Sequence, residues 1–200
     1  AKIAEMAKLA ENTYRDINIA LANELSLFCR QSDIDPYEVI RLANMHPRVN
    51  IHTPGVGVGG HCIPVDPWFL VSGFPDQALM TRIAREVNLR QEDWVVQQVI
   101  EASGIHQPEQ VVVAGLTYKP DVDDFRESPA LRIANQLSLK LSQPLIGVDP
   151  HIEKLQRERK VRFPLRSDIP LEPRSLIVLL VAHLHFKDFL DQASSLQNST

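Results

Sequence analysis

Apolar residues recur at helical spacing through Ile3, Met6, Leu9, Ile17, Ala20, Leu21, Leu25 and Phe28. That period predicts one long helix over about 4–29. A second helix is expected from Asp35 to about Asn44. Asp35 suits the N-cap, Pro36 the first turn, and Glu38 the return arm of a capping box. Residues 46–67 are rich in proline and glycine and read as loop, with a short helix from Trp68 to Val71. A long helix follows over about 76–103, with Gly104 as its expected C-cap.

The pattern changes after Pro108. Val111-Val112-Val113-Ala114-Gly115 reads as a buried strand, and Ser128-Pro129 as an N-cap and first-turn proline opening a helix to about Leu141. Leu145 to Pro150 reads as a second strand, His151 to about Lys160 as a charged helix, and Leu176 to Val181 as a third strand. A last helix is expected over Phe186 to Ala193, with a frayed polar tail from Ser194 to Thr200. Strands alternating with helices predict a parallel sheet covered by helices. The expected class is α/β: an all-helical domain over 1–105, then a Rossmann-like parallel α/β domain over 106–200.

The 200 residues carry a net charge of −4 with 44% hydrophobic positions. That is ordinary for a soluble domain pair and argues against a broad basic surface for nucleic acid. No apolar stretch approaches the length of a membrane span. Two cysteines, Cys29 and Cys62, make no disulfide framework, so a reducing cytoplasm is the expected compartment. The chain starts without Met inside a helical pattern, so a longer parent protein is expected.

Four of the eight glycines, at positions 55, 57, 59 and 60, precede His61-Cys62-Ile63-Pro64-Val65-Asp66-Pro67. Such glycine density lets backbone approach a ligand closely. Cys62 then reads either as a nucleophile held against substrate or as a small buried hydrophobe beside a structural turn. His61 adjoins it, but neighbouring residues rarely point at each other, so adjacency alone says little of a Cys–His pair. Lys8 and Asn12 share a helix face, and a Glu5–Lys8 surface pair is the plainer reading of that segment. The loop from Gly115 to Ser128 leaves a strand's carboxyl end, where open α/β sheets bind ligands. It lacks Gly-x-Gly-x-x-Gly, and Lys119 and Arg126 offer charge to a phosphate. His183-Leu184-His185 has two metal-ligand side chains but no evident third, so no metal site is assigned.

Together these motifs resemble one family. They run Ala4-Glu5-x-x-Lys8-x-x-x-Asn12, Pro47-Arg48, Gly59-Gly60-His61-Cys62-Ile63-Pro64-Val65-Asp66, Gly115-Leu116-Thr117-Tyr118-Lys119-Pro120-Asp121 and Arg126-Glu127-Ser128-Pro129. The chain resembles the nucleotide-sugar 6-dehydrogenases of the UDP-glucose/GDP-mannose dehydrogenase family over nearly its whole length. His61, where UDP-glucose dehydrogenases carry serine, points to the UDP-N-acetyl-hexosamine branch. Thr53 replaces a substrate-loop lysine of UDP-glucose dehydrogenases, leaving the hexose open.

The resemblance implies a helical dimerisation domain and a UDP-binding α/β domain, in a protein whose NAD-binding domain precedes this chain. It implies oxidation of a sugar C6 alcohol to a carboxylate by NAD, without aldehyde release. Cys62 would form a thiohemiacetal and then a thioester. Lys8 and Asn12 would stabilise the substrate oxygen, and Asp66 would position water. Gly55, Gly57, Gly59, Gly60 and Lys119 would hold the UDP-sugar. Arg48 would reach the phosphate from a neighbouring subunit of a homodimer, and Arg126 would touch NAD. Three readings compete with this: the same oxidation of another UDP-sugar, a non-catalytic UDP-binding fragment, and a Cys–His hydrolase.

Overall fold

The computed structural model describes residues 1–158, 161–170, 172 and 174–197. The chain divides into two compact units, Ala1–Glu92 and Asp93–Thr200.

In the first unit, α1 (Lys2–Gln31) packs against α2 (Pro36–Ala43) and α3 (Asp66–Gly73). Asp35 caps α2 by accepting from the Tyr37 N–H at 2.9 Å. The expected capping box does not close, because both Glu38 oxygens accept from Arg41 at 2.7 Å. The stripe that α1 buries is mostly polar, comprising Asn12, Thr13, Asp16, Asn23 and Ser26 beside Ala20, Ala22 and Cys29. Much of its apolar stripe lies outside: Ile3 is 88% and Phe28 55% exposed. Of the apolar period that predicts the helix, only Ala20 is buried; Leu9, Ile17 and Leu25 are half-buried and the others are exposed.

The fourth helix, α4 (Leu79–His106), crosses the division between the units. The expected boundary at 105 and the observed division after Glu92 differ because nothing punctuates the helix there. Gly104 is not the cap. The helix runs to His106, and Gln107 takes the left-handed conformation (φ 45°) while its N–H bonds the Ser103 carbonyl.

The second unit holds a four-stranded parallel sheet in the order β3-β2-β1-β4. The strands are β1 (Gln110–Ala114), β2 (Leu145–Val148), β3 (Leu165–Arg166) and β4 (Ser175–Leu179). Helix α5 (Pro129–Lys140) links β1 to β2, and α6 (Ile152–Glu158) links β2 to β3. Ser128 caps α5 by accepting from the Leu131 N–H. The expected end of α6 near Lys160 lies outside the described residues. A 3₁₀ turn, Leu184–Phe186, leads into α7 (Lys187–Gln197), which carries helix into the segment expected to fray; 198–200 lie outside the described residues. Val112, Ala114, Ile146, Val148 and Phe186 form one core cluster of this unit, with Ile169, Ile177 and Leu190 against it. β4 sits at an edge and is only half-buried, although its composition reads as fully buried. The strand order reverses at β1, so the loops leaving β1 and β4 flank the crevice where such sheets take ligands.

Candidate active site

Asparagine side chains pin the loop between α2 and α3. Asn44 mimics a strand neighbour: its Oδ1 accepts from the Ile51 N–H at 2.7 Å and its Nδ2 donates to the Ile51 carbonyl at 2.9 Å. On α1, Asn18 accepts from the His52 N–H, and Asn23 accepts from the Gly55 N–H at 2.9 Å. From α4, Gln91 donates to the Gly55 carbonyl at 2.9 Å. Both polar atoms of the Gly55 backbone are thus held by helix side chains. Gly57 (φ 138°) and Gly60 (φ 95°) lie in conformations that side chains disfavour.

A buried polar network supports those anchors. Asn23 donates to Asn88 at 3.0 Å, and Asn88 donates to the Asp16 carboxylate at 2.9 Å and to its carbonyl at 3.0 Å. The Arg85 guanidinium donates to the same Asp16 oxygen at 2.6 Å, with both side chains almost fully enclosed. Burial pushes the Asp16 carboxyl above its ordinary range, and Arg85 and Asn88 only partly oppose that rise.

The loop ends at the proposed nucleophile. Cys62 is a free thiol, exposed rather than sealed in packing. Its carbonyl accepts from the N–H groups of Val65 (3.0 Å) and Asp66 (2.8 Å), which seats it on the turn that opens α3. Asp66, the first residue of α3, accepts from Asn12 Nδ2 at 2.5 Å. Asn12, Asp66 and the Cys62 backbone therefore form one bonded chain. The second Asn12 amide hydrogen is left for another acceptor. His61 Nδ1 lies 3.9 Å from the Cys62 sulfur, so the two neighbours do face each other, contrary to the weight that adjacency alone carries.

Lys8 stands apart from this chain. It bonds Glu11 at 3.1 Å rather than Glu5, with both side chains about two-thirds exposed. Such a pair contributes little and leaves the ammonium free to turn. Arg48 is exposed on the loop after α2, with its own N–H bonded to His46 Nδ1. In the α/β unit, Lys119 is exposed and its ammonium sits 5.5 Å from the Tyr118 ring centre. Arg126 grips Asp124, whose carboxyl it holds at about 2, chiefly by side-chain hydrogen bonding against a modest opposing effect of burial. Among the described residues no group of three His, Cys, Asp or Glu side chains is arranged for a metal.

Comparison with known proteins decides the family. Residues 2–91 match the UDP-glucose/GDP-mannose dehydrogenase family central domain, and residues 112–199 match that family's UDP binding domain. The chain belongs to this family. It is 45% identical over 190 residues to a UDP-N-acetyl-D-mannosamine dehydrogenase of Campylobacter jejuni, covering 93% of this chain and 46% of that protein. It is 42% identical over 187 residues to an NDP-N-acetyl-D-galactosaminuronic acid dehydrogenase of Ralstonia nicotianae, covering 94% and 44%. A solved UDP-N-acetyl-mannosamine dehydrogenase of Staphylococcus aureus superimposes with a TM-score of 0.80 at 43% identity, covering 94% and 43%. The chain spans about half the length of the curated relatives it matches. In this member of the UDP-glucose/GDP-mannose dehydrogenase family, Lys8, Asn12, Cys62 and Asp66 lie in the central-domain match, and Lys119 and Arg126 in the UDP-binding match.

Residue-level reading missed Asp16, Asn23, Arg85, Asn88 and Gln91. Their signal is present as polar stripes at helical spacing on two helices, 12-16-23 and 85-88-91. A solvated face carries the same signal, and only the pairing of the two stripes separates the readings.

Proposed function

We propose that the full-length protein oxidises C6 of a UDP-N-acetyl-hexosamine, UDP-N-acetyl-D-mannosamine in the first place, from alcohol to carboxylate. The observation that carries this is the exposed Cys62 thiol on the turn into α3, tied through Asp66 to Asn12 of α1. The names of the similar proteins support the substrate class.

When bound, NAD⁺ accepts the hydride lost from C6 at each of the two oxidation stages. This chain's residues do the rest. As the alcohol loses its proton to solvent water, the free Asn12 N–H and the Lys8 ammonium, turned from Glu11, donate to the oxygen where charge develops. The Cys62 thiol gives up its proton, and His61 Nδ1 is in place to receive it. The sulfur adds to the aldehyde carbon to form a thiohemiacetal, which holds the half-oxidised sugar. Oxidation of that adduct gives a thioester. Asp66 orients the water that cleaves the thioester, releasing the carboxylate and restoring the thiol.

The dinucleotide itself finds little here. The loop leaving β1 has no Gly-x-Gly-x-x-Gly, and Ser128 Oγ at the head of α5 is committed to the Leu116 carbonyl and the Leu131 N–H. Among the described residues we assign Arg126 to NAD, and we assign the remaining cofactor site to another domain of the full-length protein. The UDP moiety is assigned to the 55–60 loop and Lys119. Arg48 is assigned to the phosphate of a neighbouring protomer, and the exposed apolar stripe of α1 to a homodimer in a reducing cytoplasm.

The test is Cys62→Ser in the full-length protein, assayed for uronate and NADH. Acid formation is expected to fall by at least about 10³-fold, in line with loss of a covalent nucleophile. Near-normal turnover removes the covalent route. The Ralstonia relative favours a second reading that changes only the sugar. Faster NADH production from UDP-N-acetyl-D-galactosamine than from UDP-N-acetyl-D-mannosamine selects it.

A further inference from the structure

His183 is left unused by the proposed chemistry, yet it is one of the most enclosed polar side chains described, 2% exposed. It meets three loops at the carboxyl ends of β1, β2 and β4. The Asp121 N–H donates to its Nδ1 at 3.0 Å. A backbone N–H can only donate, so Nδ1 is the acceptor and carries no proton. The neutral ring then carries its proton on Nε2.

Nε2 lies 3.0 Å from Thr117 Oγ1 and 3.2 Å from Asp149 Oδ2. The Thr117 hydroxyl spends its only hydrogen on the Lys119 carbonyl at 2.9 Å. Oγ1 is therefore free to accept from Nε2, sharing that one hydrogen with Asp149 Oδ2, and the Thr117 hydrogen runs on to the Lys119 backbone.

The surroundings lock this direction. Asp149 Oδ2 accepts from the N–H groups of Leu116 (2.7 Å) and Thr117 (3.2 Å), and Oδ1 accepts from the His151 N–H (2.9 Å). Burial alone raises the Asp149 carboxyl, but hydrogen bonds from His183, Leu116 and His151 outweigh it and keep the carboxyl below its ordinary range. Asp121 has a left-handed backbone (φ 58°) and accepts from the Leu184 N–H at 2.9 Å. Loop and 3₁₀ turn thus clasp each other with the imidazole between them.

We propose that neutral, Nε2-protonated His183 is a positioning residue that sets the Lys119 backbone for a nucleoside diphosphate, acting through the Thr117 hydroxyl. This rests on the assignment of Lys119 to the nucleotide.

The experiment titrates UDP by calorimetry into the full-length protein and its His183→Leu, His183→Gln, Thr117→Val, His183→Leu/Thr117→Val and Lys119→Ala variants. His183→Leu and Thr117→Val are each expected to weaken UDP about tenfold, the worth of one hydrogen bond. The double variant is expected to be no weaker than either single one, because both cut one chain. His183→Gln keeps a donor toward Thr117 and is expected to recover most of the affinity. NMR of the imidazole nitrogens is expected to place the proton on Nε2. Thr117→Val keeps the shape of the side chain and carries the test should His183→Leu fail to fold. Lost affinity in Lys119→Ala beside normal affinity in Thr117→Val, additive losses in the double variant, or a proton on Nδ1 each overturn the proposal alone. Normal affinity in Lys119→Ala overturns the nucleotide assignment as well.

Discussion

Arg85 and Asp16 show how single residues hold the first unit together. The Asp16 carboxylate is fully enclosed, and its Oδ1 takes bonds from Arg85 and Asn88 while Oδ2 has no partner among the described residues. Replacing Arg85 by leucine removes the cation and leaves the Asp16 carboxylate in the interior without a counter-charge, with Asn88 still donating to it. Breaking one side of a buried pair costs about 3–5 kcal/mol, and urea unfolding of Arg85→Leu is expected to show a loss of that size. An unchanged midpoint would mean that Asp16 is neutral and needs no counter-charge. The same substitution loosens Asn88, and through Asn23 the Gly55 anchor. The candidates Cys62 and Asp66 stand out in the sequence because glycines and prolines crowd the loop around that cysteine. Asp16 and Arg85 do not, since each by itself looks like an exposed helix charge and acquires its meaning only from a partner 69 positions away.

At the scale of elements, punctuation residues carried most of the legible information. Asp35-Pro36 and Ser128-Pro129 mark the starts of α2 and α5, where both caps are made. Gly104 misled because a glycine in a long helix looks like a stop, whereas Gln107 supplies the left-handed residue instead. Two-residue β3 escaped notice because Leu165-Arg166 is too short to show a period. Gly115 marks the exit of β1 for a reason that can be tested. Its φ is +81°, and a Cβ there would drive into the Val181 backbone, which is itself held to the Ala114 carbonyl. Gly115→Ala combines a strained backbone with an overpacked contact and is expected to destabilise the chain by at least about 2 kcal/mol in thermal or urea unfolding. A stability equal to the parent would contradict that close approach.

At the scale of the whole molecule, α1 carries the main lesson. Amphipathic spacing located the helix but not its buried side, because a polar network lines the interior of the unit and much of the apolar stripe remains outside. A second copy of the chain is the partner we assign to that stripe. Leu21, 45% exposed on α1, stands on it. Leu21→Glu is expected to shift the chain toward monomer in sedimentation without lowering helix content, and an unchanged dimer would place the interface elsewhere. The family, the α/β class and the parallel sheet were all readable from motif order and from strand–helix alternation. The sugar was not, since contacts to the hexose depend on loop geometry that no single motif encodes.

The most direct test of the central claim is intact and peptide mass spectrometry of the full-length protein, quenched in acid during turnover of UDP-N-acetyl-D-mannosamine with limiting NAD⁺. The expected result is a nucleotide-sugar adduct on the peptide carrying Cys62, lost on complete turnover and absent from Cys62→Ser. Accumulation of uronate while Cys62 stays unmodified and its serine variant keeps pace would contradict the account.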